Sequence, residues 1–270
     1  MKSARAWVII ASSIMFLLGC STVSTVPAFA RAQLAPTGKL RVGLIMSNQV
    51  LVSKDPRTGE LRGVTIDLGK AMARRLGVHF EAVEYANPAA LVKSFGDNEW
   101  DIAFLAFDPA RAQEVTFSPP YMEVDNSYLV AANSKVTTVE DADMAGVTIA
   151  VPEKSAPDLY LSRNLKVAKV LRVPGGAAAA IKVLIDRQAD AYAENAHMLS
   201  LYAEKLPGAR VLDGRYTIIC HAIATHKDKV VASEYVKAFV ADAKVNGTVA
   251  EAIREAGLHR ARVAAEQIGQ

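Results

Sequence analysis

The residues with the clearest chemical use lie in 101–121, which read Asp-Ile-Ala-Phe-Leu-Ala-Phe-Asp-Pro-Ala-Arg-Ala-Gln-Glu-Val-Thr-Phe-Ser-Pro-Pro-Tyr. The run from Asp101 to Ala106 predicts a strand buried on both faces. It ends at Phe107, Pro109 makes a turn, and Arg111 follows at once. Open α/β folds bind ligands just beyond the carboxyl ends of their sheet strands. An arginine there presents a planar fork that matches a carboxylate with two parallel bonds. A solvated surface arginine is the competing reading of the position alone.

Other chemistry is sparse. No GxxxxGK[ST], GxSxG or HExxH occurs, so phosphate-loop, nucleophile-elbow and zinc-protease chemistry have no motif to stand on. The histidines His79, His197, His221, His226 and His259 are scattered. His221 and His226 are five apart on a predicted strand and point to opposite faces, so no metal site is expected. Pro174-Gly175-Gly176 reads as a turn rather than a phosphate cradle. Asn246-Gly247-Thr248 fits the glycosylation pattern, but a helix stop at Gly247 is the simpler reading. Cys20 and Cys220 are the only cysteines. They exclude a disulfide-built fold and any CxxC site.

These residues need a frame. Leu40–Ile45, Phe80–Val83 and Asp101–Ala106 read as strands. A helix ending at Leu76, with Asp67 as its cap and Gly77 as its stop, separates the first two. A short helix opened by Pro88 separates the second and third. That is a β-α-β-α-β unit, and the pattern repeats in kind. Strands at Val147–Val151, Val167–Val173 and Ala189–Ala193 alternate with helices at Asp158–Asn164, Ala177–Arg187 and His197–Lys205. Arg210–Leu212 is a last short strand. Val231, Tyr235, Val236, Phe239 and Val240 then form an apolar stripe at helical spacing. Residues 31–38 read as a loose leader, and Cys220 as a buried, inert strand residue.

The 270 residues are enough for one large domain or two modest ones. Hydrophobic residues at 51% against 22% charged allow a packed core. Lys2 and Arg5 are the only charged residues among the first thirty, so 29 basic residues face 28 acidic ones in 31–270. That near-neutral body argues against nucleic acid. The start of the chain reads as an export signal, basic to Ala6 and apolar from Trp7 to Leu18. Two exits follow it. Ala28-Phe29-Ala30 suits signal-peptidase cleavage after Ala30, and Leu17-Leu18-Gly19-Cys20 resembles a lipobox with Cys20 lipidated. The second is slightly favoured for its place directly after the apolar run, and an uncleaved anchor ranks third. Each puts residues 31–270 outside the cytoplasmic membrane, in the periplasm.

Taken in order, several short motifs resemble the extracellular solute-binding proteins of family 3. They are Gly38-Lys39-Leu40-Arg41-Val42-Gly43, Gly59 to Leu68, Asp101-Ile102-Ala103, Asp108-Pro109-Ala110-Arg111 and Phe117-Ser118-Pro119-Pro120-Tyr121. Met144 to Val151 and Arg187-Gln188-Ala189-Asp190-Ala191 continue the set. The resemblance implies an α/β, two-lobe periplasmic-binding fold of type II, with solute in the cleft between the lobes. Lobe one would hold 38–121 and 222–262 and lobe two 126–216, joined by crossovers near Tyr121–Asp125 and Thr217–His221. It further implies a monomer without cofactor or metal. Its partners would be a small carboxylate-bearing, amino-acid-like solute and an ABC permease, with a lipid anchor if Cys20 is modified.

Carried over residue by residue, Arg111 falls on the family's carboxylate-binding arginine. Asp108 stands where a Thr or Ser is usual. Phe104 and Ala106 take places that normally offer a carbonyl and a hydroxyl. Ser155 falls on the Thr/Ser of the loop before the lobe-two helix, whose hydroxyl and neighbouring N–H groups, Ala156 included, suit an anion. Asn195 replaces the aspartate that pairs with an α-ammonium, and Glu194 beside it is the substitute. Asn48 and Asn87 sit near the two rings of the family's aromatic clamp, and Tyr85 is the nearest aromatic. The alternatives are a periplasmic enzyme on the same fold, resembling cyclohexadienyl dehydratases, with Asp108, Glu194 and His197 as acid/base candidates, or a solute sensor subunit. Prephenate or arogenate turnover separates an enzyme from a receptor.

Overall fold

The computed structural model describes residues 28–265 apart from Gly175. The export segment up to Pro27, Cys20 included, lies outside the described residues, whereas the proposed cleavage point after Ala30 falls within them. The chain makes a mixed α/β fold of two lobes.

Lobe one is built first from α1 (Ala28–Leu34), β1 (Lys39–Ile45), a hairpin of β2 (Ser53–Lys54) and β3 (Leu61–Arg62), α2 (Val64–Leu76), β4 (His79–Tyr85), α3 (Pro88–Lys93), β5 (Ile102–Ala106) and β6 (Val115–Phe117). Its strands β4, β1 and β5 lie side by side and parallel. All five residues of β5 are buried, which is why its sequence is an unbroken apolar run rather than an alternation. Helix α2 starts three residues before Asp67, at Val64. The expected side-chain cap is replaced by Gly63 at φ 123°, where an added Cβ would stand 2.7 Å from the Leu51 carbonyl. Only glycine meets both demands. Asp67 lies in the first turn, where its charge still suits the positive end of the helix.

The chain leaves lobe one along β7 (Met122–Val130) and builds lobe two from β8 (Thr148–Pro152), α4 (Ala156–Asn164), β9 (Lys169–Val173), α5 (Ala177–Ile185), β10 (Ala191–Asn195), α6 (Ala196–Ala203) and β11 (Arg210–Val211). Strands β10, β8 and β9 are parallel, and β7 joins β10 antiparallel. The return runs along β12 (Thr217–His226), which pairs with β7 from Thr217↔Asn126 to His221↔Met122 and then with β5. These paired strands carry the sheet from one lobe into the other. Helices α7 (Val230–Val245) and α8 (Thr248–Glu255) complete lobe one, and β13 (Ala261–Val263) adds to the start of β7.

Three expectations are corrected. Residues 31–38 are not a loose leader: α1 buries Ala30 and Leu34 against α7, and the Gln33 side chain accepts the Ala232 N–H at 2.9 Å. The apolar stripe of α7 is centred on Ala232, Tyr235, Val236, Phe239, Val240 and Ala243, while Val231 is exposed. Cys220 is half-buried, with its thiol pKa raised by desolvation.

Candidate functional site

The turn after β5 is set by Asp108. Its Oδ1 accepts the Ala110 N–H at 2.8 Å and its carbonyl accepts the Ala112 N–H at 2.9 Å. An aspartate before proline makes such turns readily. The next residue, Arg111, is swung inward rather than out to solvent and is only 4% exposed. Its Nη1 donates to the Ala106 carbonyl at 2.8 Å and its Nη2 to the Lys154 carbonyl of lobe two at 2.7 Å, while Nε has no partner among the described residues. Loss of water pulls the guanidinium pKa down to about 10 against the opposing pull of Asp108, so it stays charged at neutral pH.

The lobe-two wall is fixed by two helix starts. Lys154 sits in the left-handed region at φ 55°, a conformation that costs a non-glycine residue of order 1 kcal/mol. It is held there because its N–H donates to Asp158 Oδ2 at 2.9 Å, and Ser155 Oγ caps α4 by accepting the Asp158 N–H. The strained residue thereby turns its carbonyl onto Arg111. At the end of β10, Asn195 caps α6 by accepting the Met198 N–H at 2.9 Å. Its own N–H and Nδ2 both donate to Glu194 Oε1, at 2.9 and 3.1 Å. Glu194 has no cationic partner among the described residues. Desolvation pushes its pKa up to about 7, against those two hydrogen bonds.

These groups surround one cavity of about 40 Å³ between the lobes. Of the expected residues, Arg111, Ala106, Asn48, Ser155, Ala156, Glu194 and Asn195 line it. Asn48 also accepts the Val50 N–H through Oδ1. Asp108, Phe104 and Tyr85 do not line it. Asp108 turns to an ion pair with Arg163. The Phe104 side chain is buried in the lobe-one core, edge-on to Tyr121. Tyr85 packs in the cluster around Trp100 and donates its hydroxyl to Glu99 at 2.7 Å. Among the described residues, no Phe, Tyr or Trp ring lines the cavity. His197 lies away from it, beside His259.

Sequence reading missed several lining residues, the polar Ser47 and Asn126 among them, and the one of these that can titrate is His221. Burial, with the charge of Arg111 added, pushes its pKa down to about 3, so the imidazole is neutral at physiological pH. The register that betrays it, His221 opposite Ala106 across β12 and β5, is a tertiary pairing. His226 stacks on Trp100 at 4.0 Å instead. The cavity therefore offers one fixed cation, one carboxyl group poised near neutrality, a neutral imidazole and several amides and hydroxyls. Among the described residues, no group of three or more His, Cys, Asp or Glu side chains could hold a metal ion.

Residues 40–257 match the sequence profile of the bacterial extracellular solute-binding proteins, family 3. The chain belongs to that family. Within it, the chain is 26% identical over 195 residues to the glutamine-binding protein of Geobacillus stearothermophilus, covering 71% of this chain and 74% of that one. It is 26% identical over 136 residues to a cyclohexadienyl dehydratase of Pseudomonas aeruginosa, or 49% and 50% of the two chains. A solved structure of the P235GK mutant of ArgBP from T. maritima superposes with a TM-score of 0.71 at 25% identity, over 84% of this chain and 98% of the other. The family-3 chain thus has the type II periplasmic-binding fold, and no described helix is long and apolar enough to cross a membrane.

Proposed function

We propose that this family-3 protein is the exported solute-binding component of an ABC-type importer. It takes a small carboxylate-bearing, amino-acid-like solute in the cleft, with lobe one at 38–121 and 222–262 and lobe two at 126–216. One observation carries the reading: Arg111 is buried between the lobes at the end of β5, charged, with its Nε unbonded. A buried cation asks for an anion, and the planar guanidinium suits a carboxylate. Glu194 is the one acid on the cavity wall among the described residues, and it faces the other end of an amino acid. A relative named for glutamine and the arginine-bound form of truncated ArgBP from T. maritima support that solute class. Contacts from both lobes to one solute favour hinge closure, the state a membrane permease can read. The mature chain acts as a monomer in the periplasm, with or without a lipid on Cys20.

Calorimetry across a panel of amino acids and small organic acids tests the reading. Arg111→Ala is expected to cost about 2–5 kcal/mol of binding, the scale for truncating one partner of a buried charge pair. Unchanged affinity contradicts it.

The dehydratase relative and the near-neutral Glu194 favour a second reading, in which Glu194 delivers a proton to a bound acid. Of its three acid/base candidates, Asp108 is engaged by Arg163 and His197 lies outside the cavity, so Glu194 stands alone. Turnover of prephenate or arogenate that disappears in Glu194→Gln would select this reading over the receptor.

A further inference from the structure

Asp108 and Arg163 meet across the cleft although neither lines the cavity. Asp108 belongs to the turn after β5, and Arg163 to the last turn of α4 in lobe two. Arg163 Nη2 donates to Asp108 Oδ2 at 2.6 Å. The Asp108 side chain is 5% exposed and that of Arg163 47%. Asp108 Oδ1 and carbonyl are the same acceptors that fix the turn carrying Arg111. One carboxylate is therefore bonded both to the turn that presents the cleft's cation and to a cation of the opposite lobe.

The two ends of α4 act on that single turn. Lys154, just before the helix, places its carbonyl on Arg111 Nη2, and Arg163, at the far end, reaches Asp108. The ion pair is asymmetric in its solvation. Arg163 keeps water around half of its side chain, whereas the buried Asp108 carboxylate depends on its partners for compensation. Contact between the lobes is thus favoured by protein groups alone.

We propose that Arg163 is a positioning residue that clasps Asp108 across the cleft, holds the turn bearing Arg111 against lobe two, and biases the lobes toward closure before a solute arrives. This rests on the reading of the cleft as a hinged solute site, but not on which solute it takes. A larger closed fraction in the free protein tightens the apparent affinity for any solute that binds the closed form.

The test is an interlobe distance distribution, measured by electron–electron spin resonance on the solute-free chain with one label on each lobe in a Cys220→Ser background. Asp108→Asn keeps the acceptor for Ala110 and loses the charge. Arg163→Ala loses the clasp. Each is expected to lower the closed fraction roughly fivefold, the scale of one partly solvated charge-assisted hydrogen bond. The double variant is no worse than either single one, and Arg163→Lys recovers part of the loss. Single variants that match the wild type, effects that add in the double variant, or a wild type with no closed population each overturn the clasp. Failure of every carboxylate in the calorimetric panel would overturn the functional reading instead and leave these distances as they are.

Discussion

Glu194 makes folding stability depend on pH in a way that one substitution can isolate. Its carboxyl is held near pKa 7 in the folded chain by loss of water, against an ordinary value of 4.5. Between those two values the folded state holds a proton that the unfolded state has released. Stability from this group is therefore full below about pH 4.5 and is lost as pH rises through 7. Between pH 5 and pH 8 the loss comes to about 2–3 kcal/mol. Glu194→Gln keeps the shape and an acceptor for Asn195 but has no proton to lose. Urea unfolding of the two proteins at pH 5 and pH 8 gives four free energies. The wild type should lose about 2–3 kcal/mol more than the variant across that interval, every other titrating group cancelling in the difference. Equal losses would mean that the carboxyl finds water or a cation in the folded state, and the account of an unpaired acid in the cleft would fall.

Solute binding gives the same carboxyl a second readout. An amino acid whose ammonium meets ionised Glu194 should bind more tightly at pH 8 than at pH 6 in calorimetry, and the reverse trend identifies a solute without an ammonium. Gly63→Ala should destabilise lobe one by about 1–3 kcal/mol in chemical unfolding, because it adds a Cβ against the Leu51 carbonyl in a left-handed backbone; a change within a few tenths refutes that geometry. Ser155→Ala removes the cap of α4 and should cost about 1 kcal/mol. It should also weaken solute binding, since the same cap holds the Lys154 carbonyl on Arg111, and unimpaired affinity would separate the two roles.

Much of the frame was legible in the chain itself. The β5 strand announces itself by five apolar residues in a row, and Arg111 by its place just past them. Helix ends at Gly77 and Pro88 follow from backbone chemistry alone. What failed was what depends on contacts distant in sequence. His221 reaches the cleft through strand register, and Asp108 finds Arg163 55 positions away. Tyr85 is aromatic and near the right place in sequence, yet β4 turns it toward Glu99 and Trp100. Helix α1 was hidden because its short alanine-rich sequence runs on from an export-like segment, and only the face of α7 explains its fold. Asn195 illustrates the limit of carrying a role over by position. Its oxygen is committed to a helix start and its amide to Glu194, although the residue lies on the cavity wall.

The strand β13 changes the mechanics of the joint. It lies along β7 from Ala261↔Val124 to Val263↔Met122, while Arg262 reaches both Glu123 and Asp125 and Arg260 touches the Gly214 carbonyl of lobe two. Bending the linker between the lobes therefore flexes three backbones rather than two, like a leaf spring with an added blade. Cargo or a surface attached downstream of Ala265 would pull directly on that blade. A fluorescent reporter fused there would sense the opening and shutting of the molecule, and a bulky one would stiffen it.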